Sequence, residues 1–319
     1  MKVLVTGGAG YIGSHTVLEL CEYGYDVVVL DDLSLGDRNA VDDRATFIHG
    51  STLNTADLAK GLDGVSAVIH LAAFKAAGDS MIDPGKYTYN NITGTLQLLD
   101  AMAEREINQF VFSSTAAVYG YPEYLPLDEN HPLKPINYYG FTKLEIERFL
   151  KWYGDLKGLK FAALRYFNAA GYDPKVRLTS LEKNPNNLLP IVMEVASGMR
   201  EKMQVFGNDY DTHDGTGVRD YIHVSDLATA HVKALKYIQD HNELTVNLAT
   251  GESHSVMDVI HMAESITGQK IVYDLVDRRV GDPAKLYAHS TFALDALNWK
   301  AVHSDLTSLI ETTWQVYNK

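Results

Sequence analysis

Tyr139 and Lys143 stand four residues apart in Asn137-Tyr-Tyr-Gly-Phe-Thr-Lys143. On a helix that is about one turn, so phenol and ammonium share a face. A phenol titrates near 10, and using it as a base near pH 7 takes about 4 kcal/mol of electrostatic help. An adjacent ammonium and a positively charged nicotinamide supply that together. The pair therefore points to redox chemistry at an alcohol carbon, with Tyr139 taking the hydroxyl proton as hydride leaves. Tyr138 lies roughly 140° from Lys143 on an ideal helix, against roughly 40° for Tyr139, which selects Tyr139. A lone tyrosine and lysine at this spacing also decorate many surface helices, so the elements around them decide the matter.

Those elements begin with a glycine-rich turn. Gly7, Gly10 and Gly13 recur at three-residue intervals between the apolar run Val3–Val5 and an amphipathic stretch from Thr16 to Tyr23. Such a turn lets a pyrophosphate approach the backbone and sit on a helix N-terminus. Val27–Leu30 follows, then Asp31, about twenty residues on, where a carboxylate accepts hydrogen bonds from a ribose diol and repels a 2′-phosphate. Asp32 adds to the repulsion, so the cofactor is expected to be NAD and not NADP. Further short apolar runs at Ala67–His70 and Phe110–Phe112 enclose a helical stretch from Ile92 to Arg105. Continuous strands separated by helices indicate an α/β chain with a doubly wound parallel sheet of the Rossmann type. Residues 121–137 carry four prolines and read as a loop leading to the helix of Tyr139. After Leu164 the pattern is irregular, which suits a smaller α/β substrate lobe, while the amphipathic Ala228–Ile238 suggests a return to the sheet. The expected division is 1–167 for the NAD-binding domain, with a return at 220–245, and 168–219 with 246–319 for the second lobe. A terminal helix capped by Ser304 completes the reading.

The 319 residues, 46% hydrophobic and 22% charged, suit a globular enzyme of two lobes. A formal charge of −13 without a lysine or arginine run argues against nucleic-acid binding. One cysteine, Cys21, fits a reducing compartment, most simply the cytoplasm. No apolar stretch has the length of a membrane span, and the opening residues run into glycines too soon for a signal peptide. The 12 histidines are scattered, and no catalytic metal is expected.

With these pieces in place the chain resembles the extended short-chain dehydrogenase/reductases. The likeness runs through TGGAGYIGSH at 6–15, DDLS at 31–34, FSSTAAVYG at 112–120, YGFTK at 139–143 and LRYFNAAG at 164–171. It continues through NNLLP at 186–190, the long and specific GNDYDTHDGTGVRDYIHVSDLA at 207–228, and RRVGDPA at 278–284. Within the family it looks most like the branch that inverts C4 of UDP-hexoses. The resemblance implies a catalytic set of Thr115, Tyr139 and Lys143, and cofactor contacts from Gly7, Gly10, Tyr11, Ile12, Gly13, Asp31, Phe74, Lys75, Asn90, Tyr139 and Lys143. It implies a UDP-sugar held by Thr115, Tyr139, Asn168, Asn187, Arg219, Arg279 and Asp282, the arginines gripping the diphosphate. It also implies a homodimer pairing helices near 91–105 and 140–153.

Three departures stand out against the family pattern. Ser51 replaces an acidic residue that bonds the adenine amine. Tyr172-Asp173 replaces a small residue and a histidine. Leu286 occupies a gate position where some members carry a tyrosine, so extra room is expected for UDP-GlcNAc or UDP-GalNAc. A dehydratase sharing this frame needs an acid and a base beside its threonine, and here Ala116 and Ala117 follow Thr115. Epimerisation of UDP-pentoses or UDP-uronates stays open, as does a non-catalytic dinucleotide sensor.

Overall fold

The computed structural model describes residues 1–319 apart from Asn184 and Val280. Six strands, β1 (Lys2–Thr6), β2 (Asp26–Asp31), β3 (Thr46–His49), β4 (Ala67–His70), β5 (Gln109–Thr115) and β6 (Lys160–Tyr166), are joined by a later one, Glu243–Leu248. They form a seven-stranded sheet in the order Glu243–Leu248, β6, β5, β4, β1, β2, β3, with every pairing parallel. Side chains alternate across it: Val3 and Val5 enter one core with Val17, Leu227 and Leu235, whereas Leu4 enters the other with Leu58, Leu98, Ile146 and Leu150. Both faces are covered, which is why these strands read as unbroken apolar runs. Strand order reverses between β1 and β4, and the crevice at their C-terminal ends is where such sheets take ligands.

The helix Tyr138–Lys157 lies against the second face through Ile146 and Leu150. Asn137 caps it, its side chain accepting from Gly140 N–H at 2.8 Å, and Gly158 ends it in the left-handed conformation. A Cβ on Gly140 would stand 2.5 Å from the Ala117 carbonyl oxygen. The absence of a side chain there lets the helix start abut the turn after β5, which brings Tyr139 beside Thr115.

The chain leaves the sheet after β6, and the helix Val224–Asp240 with the strand Glu243–Leu248 carries it back. The remaining segments build a third core from Leu189, Met193, Val205, Tyr221, Ile260 and Leu309. Short sheets bound it: Met203–Phe206 pairs with Tyr273–Val276, and Val218–Arg219 lies between His254–Ser255 and Lys285–Leu286.

Two local expectations change. The stretch Ile92–Arg105 begins inside a wider π turn, Thr88–Thr93, and is α-helical only from Gly94 to Ala103. The terminal helix Leu306–Tyr317 is capped by Asp305, which accepts from Ser308 N–H. Ser304 is spent elsewhere, donating to Asp226 at 2.6 Å and accepting from His223 N–H at 2.8 Å, because the buried carboxylate of Asp226 outbids a helix end for the hydroxyl.

Candidate active site

The glycine turn between β1 and the helix Tyr11–Glu22 is crossed on itself. A Cβ on Gly13 would stand 2.0 Å from the Gly7 carbonyl oxygen, so no other residue fits. No side chain caps this helix, and its first-turn N–H groups face an adjoining cavity of about 530 Å³. Asp31, at the end of β2, accepts from Ala9 N–H and Leu33 N–H, both at 2.9 Å. Burial pushes its carboxyl above the usual range while these amides work the other way. Two N–H bonds leave acceptor capacity for a diol. The donors of an uncapped helix, the crossing that excludes side chains and the carboxylate at the strand end fit a dinucleotide.

The same cavity is lined by Gly7, Gly10, Tyr11, Ile12, Gly13, Asp31, Phe74, Lys75, Asn90, Thr115, Tyr139, Lys143, Asn168 and Asn187. A second cavity of about 570 Å³ carries Arg219, Arg279 and Asp282 and shares Asn168, Ala169, Asn186 and Asn187 with the first. Every residue expected to serve in catalysis, cofactor binding or substrate binding thus lines one of two adjoining spaces, with the tyrosine and lysine in the first, whereas Leu286, Tyr172 and Asp173 line neither.

Around the pair, Lys143 Nζ donates to the Ser113 carbonyl at 2.8 Å and lies 4.8 Å from the Phe112 ring centroid and 5.9 Å from that of Tyr139. Burial pulls the ammonium down from 10.5 to about 7, opposed by the Glu147 carboxylate. Burial likewise pushes the Tyr139 phenol up from 10.0 to about 12, with the Thr115 hydroxyl working against it. Both groups are desolvated, so without the cofactor's positive charge each resists its charged form. Tyr138 turns away, its hydroxyl 2.7 Å from that of Thr88.

A support that sequence reading missed stands behind Lys143. Glu147 is one turn further along, forms a buried two-pronged pair with Arg165 at 2.9 and 2.6 Å, and accepts from Ser114. Its position four residues after Lys143 was the available signal. Asn91 was missed too: its amide accepts from Phe74 N–H and donates to Phe74 O, clamping the loop after β4, while neighbouring Asn90 faces the cavity.

In the second cavity Arg219 pairs with Asp282, and Arg279 stacks 3.8 Å from the Phe206 centroid. Asn187 stands at the N-cap of the helix Leu188–Ala196, yet its side chain makes no capping bond. Phe206 and Gln204, outside every quoted motif, also line this space, as does Tyr221 within the 207–228 segment. Of the departures, Ser51 keeps its N–H on the Asp57 carboxylate at 3.2 Å, so an acid is near but occupied. Tyr172 is buried against Tyr11, His15 and Tyr317, and Asp173 pairs with Arg177. Leu286, like Phe167, packs against the cluster that contains Ala116 and Leu144.

A dinucleotide crevice with a tyrosine–lysine pair, opening onto an arginine-bearing space, defines a nucleotide-dependent enzyme acting on a bulky anionic substrate. The model of the NAD dependent epimerase/dehydratase family matches residues 3–249, and the chain belongs to that family. It is 44% identical over 317 residues to a UDP-glucose 4-epimerase of Lacticaseibacillus casei, covering 98% of this chain and 96% of the relative. The crystal structure of a UDP-glucose 4-epimerase from Brucella ovis in complex with NAD superimposes with a TM-score of 0.96 at 41% identity, covering 99% and 98% of the two chains. That from Bifidobacterium longum in complex with NAD+ and UDP gives 0.95 at 37%, covering 100% and 99%.

The lysine's environment sets a pH dependence for the cofactor-free protein. Between about 7, its folded value, and 10.5 the unfolded chain holds a proton that the folded one lacks, so stability rises with pH across this window. Lys143→Met removes that slope. Its stability gain over wild type in urea unfolding is expected to be largest at pH 7 and to shrink towards pH 10; equal slopes in both proteins would reject the burial argument.

Proposed function

We infer that this chain interconverts UDP-galactose and UDP-glucose by oxidation at C4, rotation of the resulting 4-keto sugar and reduction on its other face. The observation that carries this reading is the junction of the two cavities at Asn168 and Asn187, with Tyr139, Lys143 and Thr115 lining the first. Bound NAD accepts the C4 hydride and returns it, so no net oxidation occurs. Tyr139 takes the 4-hydroxyl proton and gives it back, and Thr115 bridges phenol and sugar oxygen. With the phenol at about 12, its ionisation depends on positive charge arriving with the cofactor. Lys143 orients the nicotinamide ribose and lends its own charge once that environment favours it.

Arg219 and Arg279 grip the diphosphate with two geometries, one through the Asp282 pair and one from the face of Phe206. Asn168 and Asn187 bond the substrate near the sugar, and Asp282 the uridine ribose. Holding the diphosphate firmly leaves the sugar free to turn, which is what inversion requires. Ala116 and Ala117 cannot supply an acid or base, which weighs against dehydration. In this reading residues 1–167 with 220–245 hold NAD, and 168–219 with 246–319 hold the UDP-sugar. Among the described residues no helix is long and apolar enough to cross a membrane, and a cytoplasmic location suits the lone thiol.

Pairing of two copies is supported by the apolar surface of the helix Tyr138–Lys157, where Trp152 and Leu156 are 63% and 70% exposed. Sedimentation is expected to give twice the 35.4 kDa chain mass; a species of one chain only rejects the dimer.

The activity is tested by incubating purified protein with UDP-galactose, without added NAD, and following UDP-glucose by proton NMR. Conversion is expected, and Tyr139→Phe should lose roughly 10²–10⁴-fold in turnover, the usual worth of a positioned base; a fully active variant rejects the assignment. Leucine in place of a gate tyrosine at 286 predicts some turnover of UDP-GalNAc in the same assay. Inert UDP-GalNAc alongside active UDP-galactose sinks that extension.

A further inference from the structure

The cofactor cavity crosses the C-terminal ends of the strands in their order in the sheet. Thr115, Tyr139 and Lys143 line it beyond β5, the glycine turn beyond β1, Asp31 at the end of β2, and Gly50, Ser51 and Thr52 beyond β3. A dinucleotide with its nicotinamide at the tyrosine–lysine pair, its diphosphate on the glycine turn and a ribose at Asp31 carries its purine to the β3 end. What the chain offers there decides which purine it takes.

Among the described residues, no carboxylate that lines the cavity follows β3. Asp32 and Asp37, which line it with Asp31, follow β2 and accept from Ser34 N–H at 2.9 Å and from Asn39 N–H at 3.0 Å. Asp57, on the helix Thr55–Gly61, is packed against the backbone behind: a Cβ on Gly50 would stand 2.7 Å from its Cγ, and its Oδ2 accepts from Ser51 N–H at 3.2 Å. It does not line the cavity. Thr52 is buried, and its hydroxyl is turned to the helix Gly94–Ala103, where a Cβ on Gly94 would stand 2.6 Å from Oγ1. The Ser51 hydroxyl is what remains. It accepts from Leu53 N–H at 3.2 Å, which leaves its own proton and one lone pair unspent.

Adenine and hypoxanthine present opposite edges to such a group. Adenine has an amino donor at C6 and an acceptor at N1, whereas hypoxanthine has an oxo acceptor at C6 and a donor at N1. A carboxylate only accepts, so it would hold the amine and repel the oxo group. A hydroxyl both donates and accepts, and so serves either edge whichever atom it meets.

We propose that Ser51 makes the cofactor site tolerant at purine C6, so that the chain binds the dinucleotide with a hypoxanthine base about as well as NAD. This rests on the cofactor site and not on the sugar chemistry.

The test is a competition. Cofactor-free full-length protein is incubated with an equimolar excess of NAD⁺ and nicotinamide hypoxanthine dinucleotide until the bound ratio stops changing, and both are then released by denaturation and quantified. The wild type is expected to hold the two within about 5-fold of each other, the worth of one neutral hydrogen bond. Ser51→Asp should move the ratio towards NAD by roughly 10-fold or more, since a charged acceptor gains the amine and opposes the oxo group. Ser51→Ala, which removes the hydroxyl from both complexes, should leave the ratio where it is. A wild-type preference beyond about 5-fold, or a ratio that Ser51→Asp does not move, overturns the proposal. Should Ser51→Asp not fold, the wild type and Ser51→Ala decide: a ratio near one in both supports the proposal, and a strong preference for NAD in either rejects it. Retention of neither dinucleotide overturns it together with the cofactor site. A protein that holds a dinucleotide but leaves UDP-galactose unchanged rejects the functional reading alone, since the ratio is still measured.

Discussion

The joint burial of Tyr139 and Lys143 sets the terms for the rest of this protein. Taken out of water, the phenol rises to about 12 and the ammonium falls to about 7, so the resting site resists both charges that its chemistry needs. The surroundings are arranged around that cost. The Ser113 carbonyl and the Phe112 ring hold the ammonium in place, and Glu147, itself fixed by Arg165, favours its charged form. What remains is left to the positive charge of the oxidised cofactor. On the proposed mechanism, a base that becomes competent only when its hydride acceptor is present does not act without it, which couples proton and hydride transfer.

An acidic chain that binds two polyanions faces a second problem, and its cations solve it one by one. Lys75 rests on Glu182, Arg219 on Asp282, Arg279 on the face of Phe206, and Lys143 beside the Glu147–Arg165 pair. Each positive group is thus held by a protein partner in advance, which limits the side-chain entropy that the proposed ligand contacts would cost. The long-range field stays negative at a formal −13, so attraction for phosphates is confined to the crevices.

Much of this was legible in the residues. The turn at Gly7–Gly13, Asp31 at the end of a strand, and Tyr139 four places before Lys143 all depend on local spacing, which backbone geometry converts directly into position. Supports reaching across the chain were not legible. Arg165 meets Glu147 from a different element, Asn91 clamps Phe74 over a loop, and Tyr172 fills a space between Tyr11 and Tyr317. None has a periodicity of its own. The cap at Ser304 was misread for the same reason, because the buried Asp226 that claims its hydroxyl lies far away in sequence.

The sequence by itself therefore determined the class of sheet, the cofactor turn, and which phenol faces which ammonium, since strand alternation, helix pitch and glycine stereochemistry act over a few residues. Only the tertiary structure decided the burial that shifts both members of that pair, the sharing of Asn168 and Asn187 by two cavities, and the pinning of a remote stretch to Lys75 and Gly36 by Glu182 and Lys183. These depend on desolvation and on contacts between residues over a hundred positions apart, such as Lys75 with Glu182, and no local rule encodes them.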